Sequence, residues 1–230
     1  MEHLFERSSL LMGKDGQKIL SNRCVAVIGV GGVGSFCAES LARCGIGHLV
    51  LVDADTVEAS NINRQLPATT QTIGQYKTEV MKQRIQMINP SCQVDIFSRW
   101  YDESLNQELL AMKPDYILDA IDSISSKKVL IQTCLDNNIP FISSMGMARR
   151  NDPSQLYVTE LEKTSYDPMA KILRQWKRKE RIRKKIKVVA SKEVPVAHEK
   201  GQPLPSMIFV PASAGLLMAS VCVQELIREK

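Results

Sequence analysis

Arg23-Cys24-Val25-Ala26-Val27-Ile28-Gly29-Val30-Gly31-Gly32-Val33-Gly34-Ser35 decides the fold. Its first half is a short apolar run rich in β-branched residues, the pattern of a strand buried on both faces of a parallel sheet. It passes without a spacer into glycines spaced G-x-G-x-x-G, with one glycine more, and Ser35 to Cys44 continues as a helix that turns Phe36, Cys37, Ala38 and Leu41 inward. Glycines let a backbone turn tightly and approach an anion with no Cβ in the way, and the following helix N-terminus offers free N–H groups and partial positive charge. Gly29, Gly31, Gly32 and Gly34 are therefore candidate phosphate-cradle residues. The next strand, His48 to Asp53 (HLVLVD), completes a βαβ unit. Asp53 follows Gly34 by 19 positions and ends that strand, where a carboxylate can accept hydrogen bonds from ribose hydroxyls. By itself this fingerprint suits a dinucleotide and other nucleotides equally.

Outward from this unit, a helical segment over 6–20 precedes it. Strands at 93–97, 116–119 and 140–143 alternate after it with helices at 77–88, 104–112 and 126–137. Such alternation predicts an α/β fold with a Rossmann-like, doubly wound, mostly parallel sheet. Past Met147 the pattern changes to a strand at 155–161, a basic helix at 168–185, a Pro- and Gly-containing loop at 193–206 and a closing helix at 215–228. A length of 230 residues fits one domain over 1–230, with a nucleotide-binding core in 1–150 and a basic helical and loop appendage with the closing helix in 151–230. The uncharged stretch Met207 to Val223 is 17 residues long, the lower limit for spanning hydrocarbon. Pro211 interrupts it, and Ala212, Gly215 and Ala219 suit close packing on a sheet, so a buried helix is expected and a membrane contact is not.

Hydrophobic residues at 44% and charged residues at 24% describe a soluble globular chain and exclude a disordered or fibrous one. Cys24, Cys37, Cys44, Cys92, Cys134 and Cys222 form no C-x-x-C pair, which argues against a disulfide framework and a structural zinc site. Met1 to Ser21 contains no uninterrupted apolar stretch before a cleavage site, so a reducing, cytoplasmic location is expected. The net charge is +5, yet Lys171 to Lys187 carries ten basic residues against Glu180, a local +9 that leaves −4 for everything else. The basicity is local and points to one polyanion-facing surface.

The stretch from Val52 through Asp53, Asp55, Val57, Ser60, Asn61, Asn63 and Arg64 to Gln65 resembles the D-x-D-x-V-x-x-S-N-x-x-R-Q segment of ubiquitin-activating-enzyme-like adenylyltransferases. Gly74-x-x-Lys77 and Asp119-Ala120-Ile121-Asp122 fall where that superfamily has its Lys and its D-x-x-D, so four blocks match in order over about 95 residues. The resemblance implies that ATP and Mg²⁺ are the cofactors and that a carboxylate is adenylylated. Arg64 and Lys77 would supply the positive charge that the α-phosphate needs as two anions meet. Asp122 would hold Mg²⁺, and Asp53, Asp55, Asn61 and Asn63 would bind ribose and phosphates. Arg7, on an opening helix similar to the superfamily's, would reach the ATP of a neighbouring subunit, which implies a homodimer.

Superfamily members that activate sulfur carriers generally have two C-x-x-C pairs and a cysteine after the core; here no cysteine lies between Cys134 and Cys222. Ile142-Ser-Ser-Met-Gly146, Asp152-Pro153, Lys163-Thr164-x-x-Asp167-Pro168, Lys187 to Glu193 and Phe209-Val-Pro211 instead resemble the bacterial tRNA threonylcarbamoyladenosine dehydratase branch. That branch implies tRNA as partner, the threonyl carboxylate of a modified adenosine as the group activated, and cyclisation with loss of AMP. Arg174, Lys177, Arg178, Arg181, Arg183, Lys184 and Lys185 are then the expected tRNA contacts. Trp176 could stack on a base, but its helical spacing with Ile172, Ile182 and Ile186 favours the core. The alternative is an adenylyltransferase that activates the C-terminal Gly of a ubiquitin-like sulfur-carrier protein in the same crevice.

Overall fold

The computed structural model describes residues 4–199 and 201–228. Two short helices, α1 (Glu6–Met12) and α2 (Lys14–Ser21), stand where the sequence predicts one; Gly13 breaks them at a φ of +81°, a conformation that costs glycine nothing sterically. β1 (Cys24–Ile28) is fully buried because alternate residues feed different cores. Val25 and Val27 join the larger cluster, whereas Cys24, Ala26 and Ile28 join the smaller one on the opposite face. Both faces of the strand are covered, hence its unbroken apolar run.

From β1 the chain runs through α3 (Gly34–Arg43) to β2 (His48–Val52), then through α4 (Lys77–Ile88) to β3 (Gln93–Phe97). It next crosses by way of α5 (Asn106–Ala111) to β4 (Tyr116–Asp119) on the other side of β1, and α6 (Ile124–Asp136) carries it to β5 (Phe141–Ser144). These five strands pair in parallel, and the order reverses between β1 and β4, so a crevice opens outside their C-terminal ends.

The second part adds β6 (Leu156–Glu160), α7 (Pro168–Lys179), β7 (Lys187–Ser191) and α8 (Phe209–Arg228). β7 runs parallel to β5, and β6 returns antiparallel at the sheet edge, giving the order β3-β2-β1-β4-β5-β7-β6. Thus 151–230 is not a separate layer: two of its strands extend the nucleotide-binding sheet. β7 was not expected as a strand, although Val188-Val189-Ala190 carries the β-branched signal.

α7 corrects the expected 168–185 helix. Asp167 caps its N-terminus, accepting from Ala170 N at 2.9 Å, and Pro168 occupies the first turn. The helix stops at Lys179, because Arg181 turns left-handed (φ +55°) and Ile182 N bonds back to Lys177 O at 3.0 Å. A basic run of good helix formers with no glycine hides that stop. Trp176 packs partly buried against the larger core, the expected alternative to base stacking.

α8 begins at Phe209, six residues before the expected start, with Pro211 tolerated in its first turn. By length and composition it could cross a membrane. Its small residues instead press on α3: a Cβ on Gly215 would lie 2.4 Å from Val33 O, and Cys37 Sγ donates to Gly215 O at 3.4 Å.

Candidate active site

A crevice of about 540 Å³ at the C-terminal ends of β1, β2, β4 and β5 collects most of the expected nucleotide residues. Its floor is the glycine-rich turn. Gly29 has a φ of +88°, and a Cβ there would meet Ala120 O at 2.7 Å, while one on Gly34 would overlap Gly29 O at 1.7 Å. Those two glycines serve the turn itself. Gly31 differs: a Cβ there would touch nothing nearer than the Gln65 amide at 3.8 Å, so the space above it is open to a ligand. Gln65 lines the crevice, and its Oε1 is buried with no hydrogen-bond partner among the described residues. The open backbone cradle fits a phosphate group, whereas the unsatisfied amide oxygen calls for a donor such as a hydroxyl.

Asp53 fastens the cradle to β2. Its Oδ2 accepts from Val30 N at 2.6 Å and its Oδ1 from Asp55 N at 2.8 Å. Burial pushes this carboxyl above its usual range, against the lowering pull of Lys77 and those two N–H groups. A carboxylate so desolvated gains most from further donors such as ribose hydroxyls.

Lys77 starts α4 and is 4% exposed; its Nζ donates to Asp55 Oδ2 at 2.7 Å while its backbone N–H bonds Asp55 O. Asp55 therefore orients Lys77 on the crevice wall. Arg64 is held differently: its Nη1 donates to Ser60 O and Asn63 Oδ1, both at 2.8 Å, and no carboxylate pairs with it among the described residues. Its charge stays available for an incoming anion.

Two asparagines hydrogen-bond within and beside the loop that carries Arg64. Asn61 is buried in its own turn, where its Oδ1 accepts from Glu58 N at 3.2 Å and its Nδ2 donates to Ser60 Oγ at 3.3 Å. Asn63 does not line the crevice; besides holding Arg64, its Nδ2 donates to Ser206 O at 2.8 Å. Both organise the loop that presents Arg64; Asn61 also lines the crevice, where it was expected, whereas Asn63 does not.

Asp122 is exposed at the crevice. The other acid of its D-x-x-D block is fully buried: Asp119 Oδ2 lies 2.8 Å from Lys127 Nζ and accepts from Ser143 Oγ at 2.6 Å, and its Oδ1 accepts from Ile121 N at 3.1 Å. This knot joins β4, β5 and α6 and fixes the direction in which the Asp122 loop leaves the sheet. Removing one partner of such a buried pair costs about 3–5 kcal/mol. Lys127 was missed in the sequence because a lysine inside a helix pattern carries no sign of burial. The opposite wall was missed as well: Met145 to Ala148, Met169, Leu204 and Ser206 face the glycines, and Arg99 to Tyr101 form the rim beyond β3.

The expected tRNA residues separate. Arg178, Arg181 and Arg183 are exposed. Arg174 is half-buried and bonds Thr164. Lys177 is a correction, since it is 7% exposed and its ammonium is held by Glu162, leaving it no phosphate to meet. Lys184 and Lys185 lie past the end of α7 and line a groove at the opposite, N-terminal end of the strands. There Lys184 bonds Leu135 O and Asn138 Oδ1, both at 2.6 Å, and Lys185 pairs with Glu160 at 2.5 Å. Arg7 lies exposed on α1, none of whose residues is buried, and it does not line this chain's crevice.

No cysteine lines the crevice. Burial pushes Cys24 up to about 12 and Cys92 up to about 11, and raises Cys37, Cys44, Cys134 and Cys222 too. Thiols so placed stay protonated and do not serve as nucleophiles. Among the described residues no three His, Cys, Asp or Glu side chains gather as a metal cluster.

The ThiF family model matches residues 5–228. A Bacillus subtilis (strain 168) tRNA threonylcarbamoyladenosine dehydratase is 41% identical over 245 residues, spanning all of this chain and 96% of the relative. The crystal structure of Escherichia coli tRNA N6-threonylcarbamoyladenosine dehydratase, TcdA, in complex with ATP superposes with a TM-score of 0.90 at 33% identity, covering 97% of this chain and 93% of that one. The sulfur carrier protein ThiS adenylyltransferase of Escherichia coli (strain K12) is 34% identical over only 58% of this chain and 53% of its own.

Proposed function

The chain belongs to the ThiF family, and from that membership we propose how its crevice works on ATP and tRNA. It is an ATP-dependent tRNA threonylcarbamoyladenosine dehydratase. A threonyl carboxylate oxygen attacks the α-phosphorus of ATP, the bond from that phosphorus to the bridging oxygen breaks, and pyrophosphate leaves. An internal nucleophile of the modified nucleoside then attacks the acyl carbon, AMP departs, and a cyclic product forms with net loss of one water. Because the second attack is intramolecular, no enzyme thiol is needed, in keeping with six cysteines that burial holds protonated and none of which lines the crevice.

The observation that carries the reading is Arg64: a cation without a carboxylate partner among the described residues, lying against Gly32 in the hollow that the open Gly31 cradle floors. Arg64 and Lys77 stabilise charge at the α-phosphate, Asp53 receives the ribose hydroxyls, and Gly31 lets the phosphate chain lie on the backbone. Asp122 alone fits Mg²⁺ shared with phosphate oxygens and waters, the usual way that hard cation is held. When bound, the ion neutralises charge on the leaving pyrophosphate. Arg7 on the uncovered α1 contacts the ATP of a second copy, and the enzyme works as a cytoplasmic homodimer. Arg178, Arg181, Arg183 and, in part, Arg174 guide the tRNA backbone toward the crevice.

The sulfur-carrier alternative accounts for less of the chain, because that likeness spans only 58% of it. The test is to incubate the protein with ATP and tRNA bearing threonylcarbamoyladenosine, then digest and weigh the nucleosides. An ATP-dependent loss of 18 Da, the mass of about one water, is expected. Unchanged nucleosides alongside adenylylation of a small carrier protein would favour the alternative.

A further inference from the structure

Arg150 is 2% exposed, yet its guanidinium bonds four residues in three segments at once. Nε donates to Gly146 O at 3.0 Å, Nη1 to Glu193 O, and Nη2 to Tyr166 O at 3.2 Å and Asp167 Oδ2 at 3.4 Å. Asp167 in turn accepts from Gly146 N and from Ala170 N, both at 2.9 Å, so one carboxylate caps α7 and clamps the crevice wall. The fit is tight: a Cβ on Gly146 would lie 3.3 Å from Asp167 Oδ2. Tyr166, between these contacts, is held at a φ of +52°, a left-handed conformation that a tyrosine adopts only when its surroundings impose it.

The neighbouring Arg149 extends the connection. Its N–H donates to Pro205 O at 2.8 Å and its Nε to Val196 O at 2.7 Å, which ties down the strap over 193–206. At the strap's end Ser206 lines the crevice, and its carbonyl accepts from the Asn63 amide whose oxygen holds Arg64. A nearly continuous series of contacts therefore joins Arg64, through Asn63, the strap and Arg149–Arg150, to the first turn of the basic helix. A buried ion pair is a poor way to gain stability, because apolar side chains of similar volume do as well or better. Its use here is to fix one geometry among three segments.

We propose that Arg150 is a positioning residue for the tRNA reaction: it sets the wall Met145–Ala148 relative to α7, so that a tRNA held on the basic surface presents its carboxylate at the α-phosphate. This rests on the dehydratase reading above. Arg150 touches neither the nucleotide cradle nor any phosphate-facing cation directly, so its effect is separable from ATP binding.

The test compares the full-length protein with Arg150→Lys, which keeps the charge beside Asp167 but loses the fork, and with Arg150→Met, which loses both. In each, kcat for dehydration is expected to fall about tenfold or more, the scale of a small misplacement of reacting groups. ATP affinity by titration with labelled ATP should stay within about twofold, with Arg150→Lys retaining more activity than Arg150→Met. ATP affinity and kcat falling together, in step with a lowered melting temperature, would make Arg150 merely structural and overturn the proposal, as would unchanged kcat. A second readout needs no turnover. Adding tRNA should slow amide hydrogen exchange at 145–148 in the wild type and not in Arg150→Lys; equal protection in both, or none in either, overturns the proposal. Should the wild type bind tRNA but make no dehydrated product, the reading of the reaction falls and the exchange experiment still decides the role of Arg150.

Discussion

Among the described residues two hollows with cationic linings lie at opposite ends of one sheet, and the smaller of the two is the one that holds the glycine-rich turn. The groove at the N-terminal ends holds about 650 Å³ and four lysines, the crevice about 540 Å³. In the groove the charges are already spent: Lys163 and Lys185 pair with Glu160, Lys187 with Glu225, and Lys184 bonds oxygens of Leu135 and Asn138. In the crevice Arg64 meets only neutral oxygens and lies against Gly32, in the same hollow as the open space over Gly31. The candidate anion site is thus marked by one cation left without a carboxylate among the described residues, and neither the volume of a hollow nor its count of lysines identifies it.

The comparison breaks first if the crevice cations are dispensable. Arg64→Ala should lower the rate of AMP formation with modified tRNA by about 10²–10³-fold, the scale of losing one preorganised group at a developing charge. Thermal melting should change little, since Arg64 bonds only its own loop. A second large effect sharpens the contrast between glycines. Gly31→Val fills open space and should weaken ATP binding by about tenfold or more in calorimetric titration, whereas Gly34→Ala collides with Gly29 O and should lower soluble yield and melting temperature.

Smaller effects follow on the tRNA surface. Replacing Arg178, Arg181 and Arg183 with Glu should raise KM for tRNA and flatten its dependence on salt by a slope of about two to three, one per lost phosphate contact, with ATP affinity unchanged. Lys185→Ala in the far groove should alter KM by less than about twofold, because an exposed lysine paired with Glu160 has little left to offer a phosphate. The smallest effect is a pH effect on stability. Glu39 is desolvated, but hydrogen bonds from Arg84 and Arg43 outweigh that burial and hold it below its ordinary 4.5. Its contribution to stability is present above pH 4.5 and is lost as pH falls through the lower folded value. Glu39→Gln should therefore narrow the gap in melting temperature between pH 6 and pH 4, buffers chosen about the carboxylate's ordinary range.

How far the sequence foretells this arrangement depends on how local each device is. The cradle was legible because a strand, four glycines and a helix follow one another in the chain, and Asp53 stands at a strand end. The Arg64 and Lys77 side chains were legible through motif spacing. The acceptor wall was not, since Arg150, Asp167 and Glu193 meet from distant segments and a lone arginine gives no sign that it is buried. β7 was hidden for the same reason: its partners β5 and β6 precede it by tens of residues. The separation of Lys184 and Lys185 from the rest of the basic run was not legible, because charge counting cannot see the left-handed turn at Arg181 beyond which they line the groove at the other end of the sheet.

The most direct test sets Arg64→Ala and Lys185→Ala beside the wild type, each incubated with ATP and tRNA carrying threonylcarbamoyladenosine, with nucleosides weighed after digestion. The dehydrated nucleoside should form with the wild type and Lys185→Ala at similar rates and be nearly absent with Arg64→Ala. Equal product from all three, or loss of product with Lys185→Ala alone, would contradict the assignment of catalysis to Arg64, the crevice cation left without a carboxylate partner among the described residues.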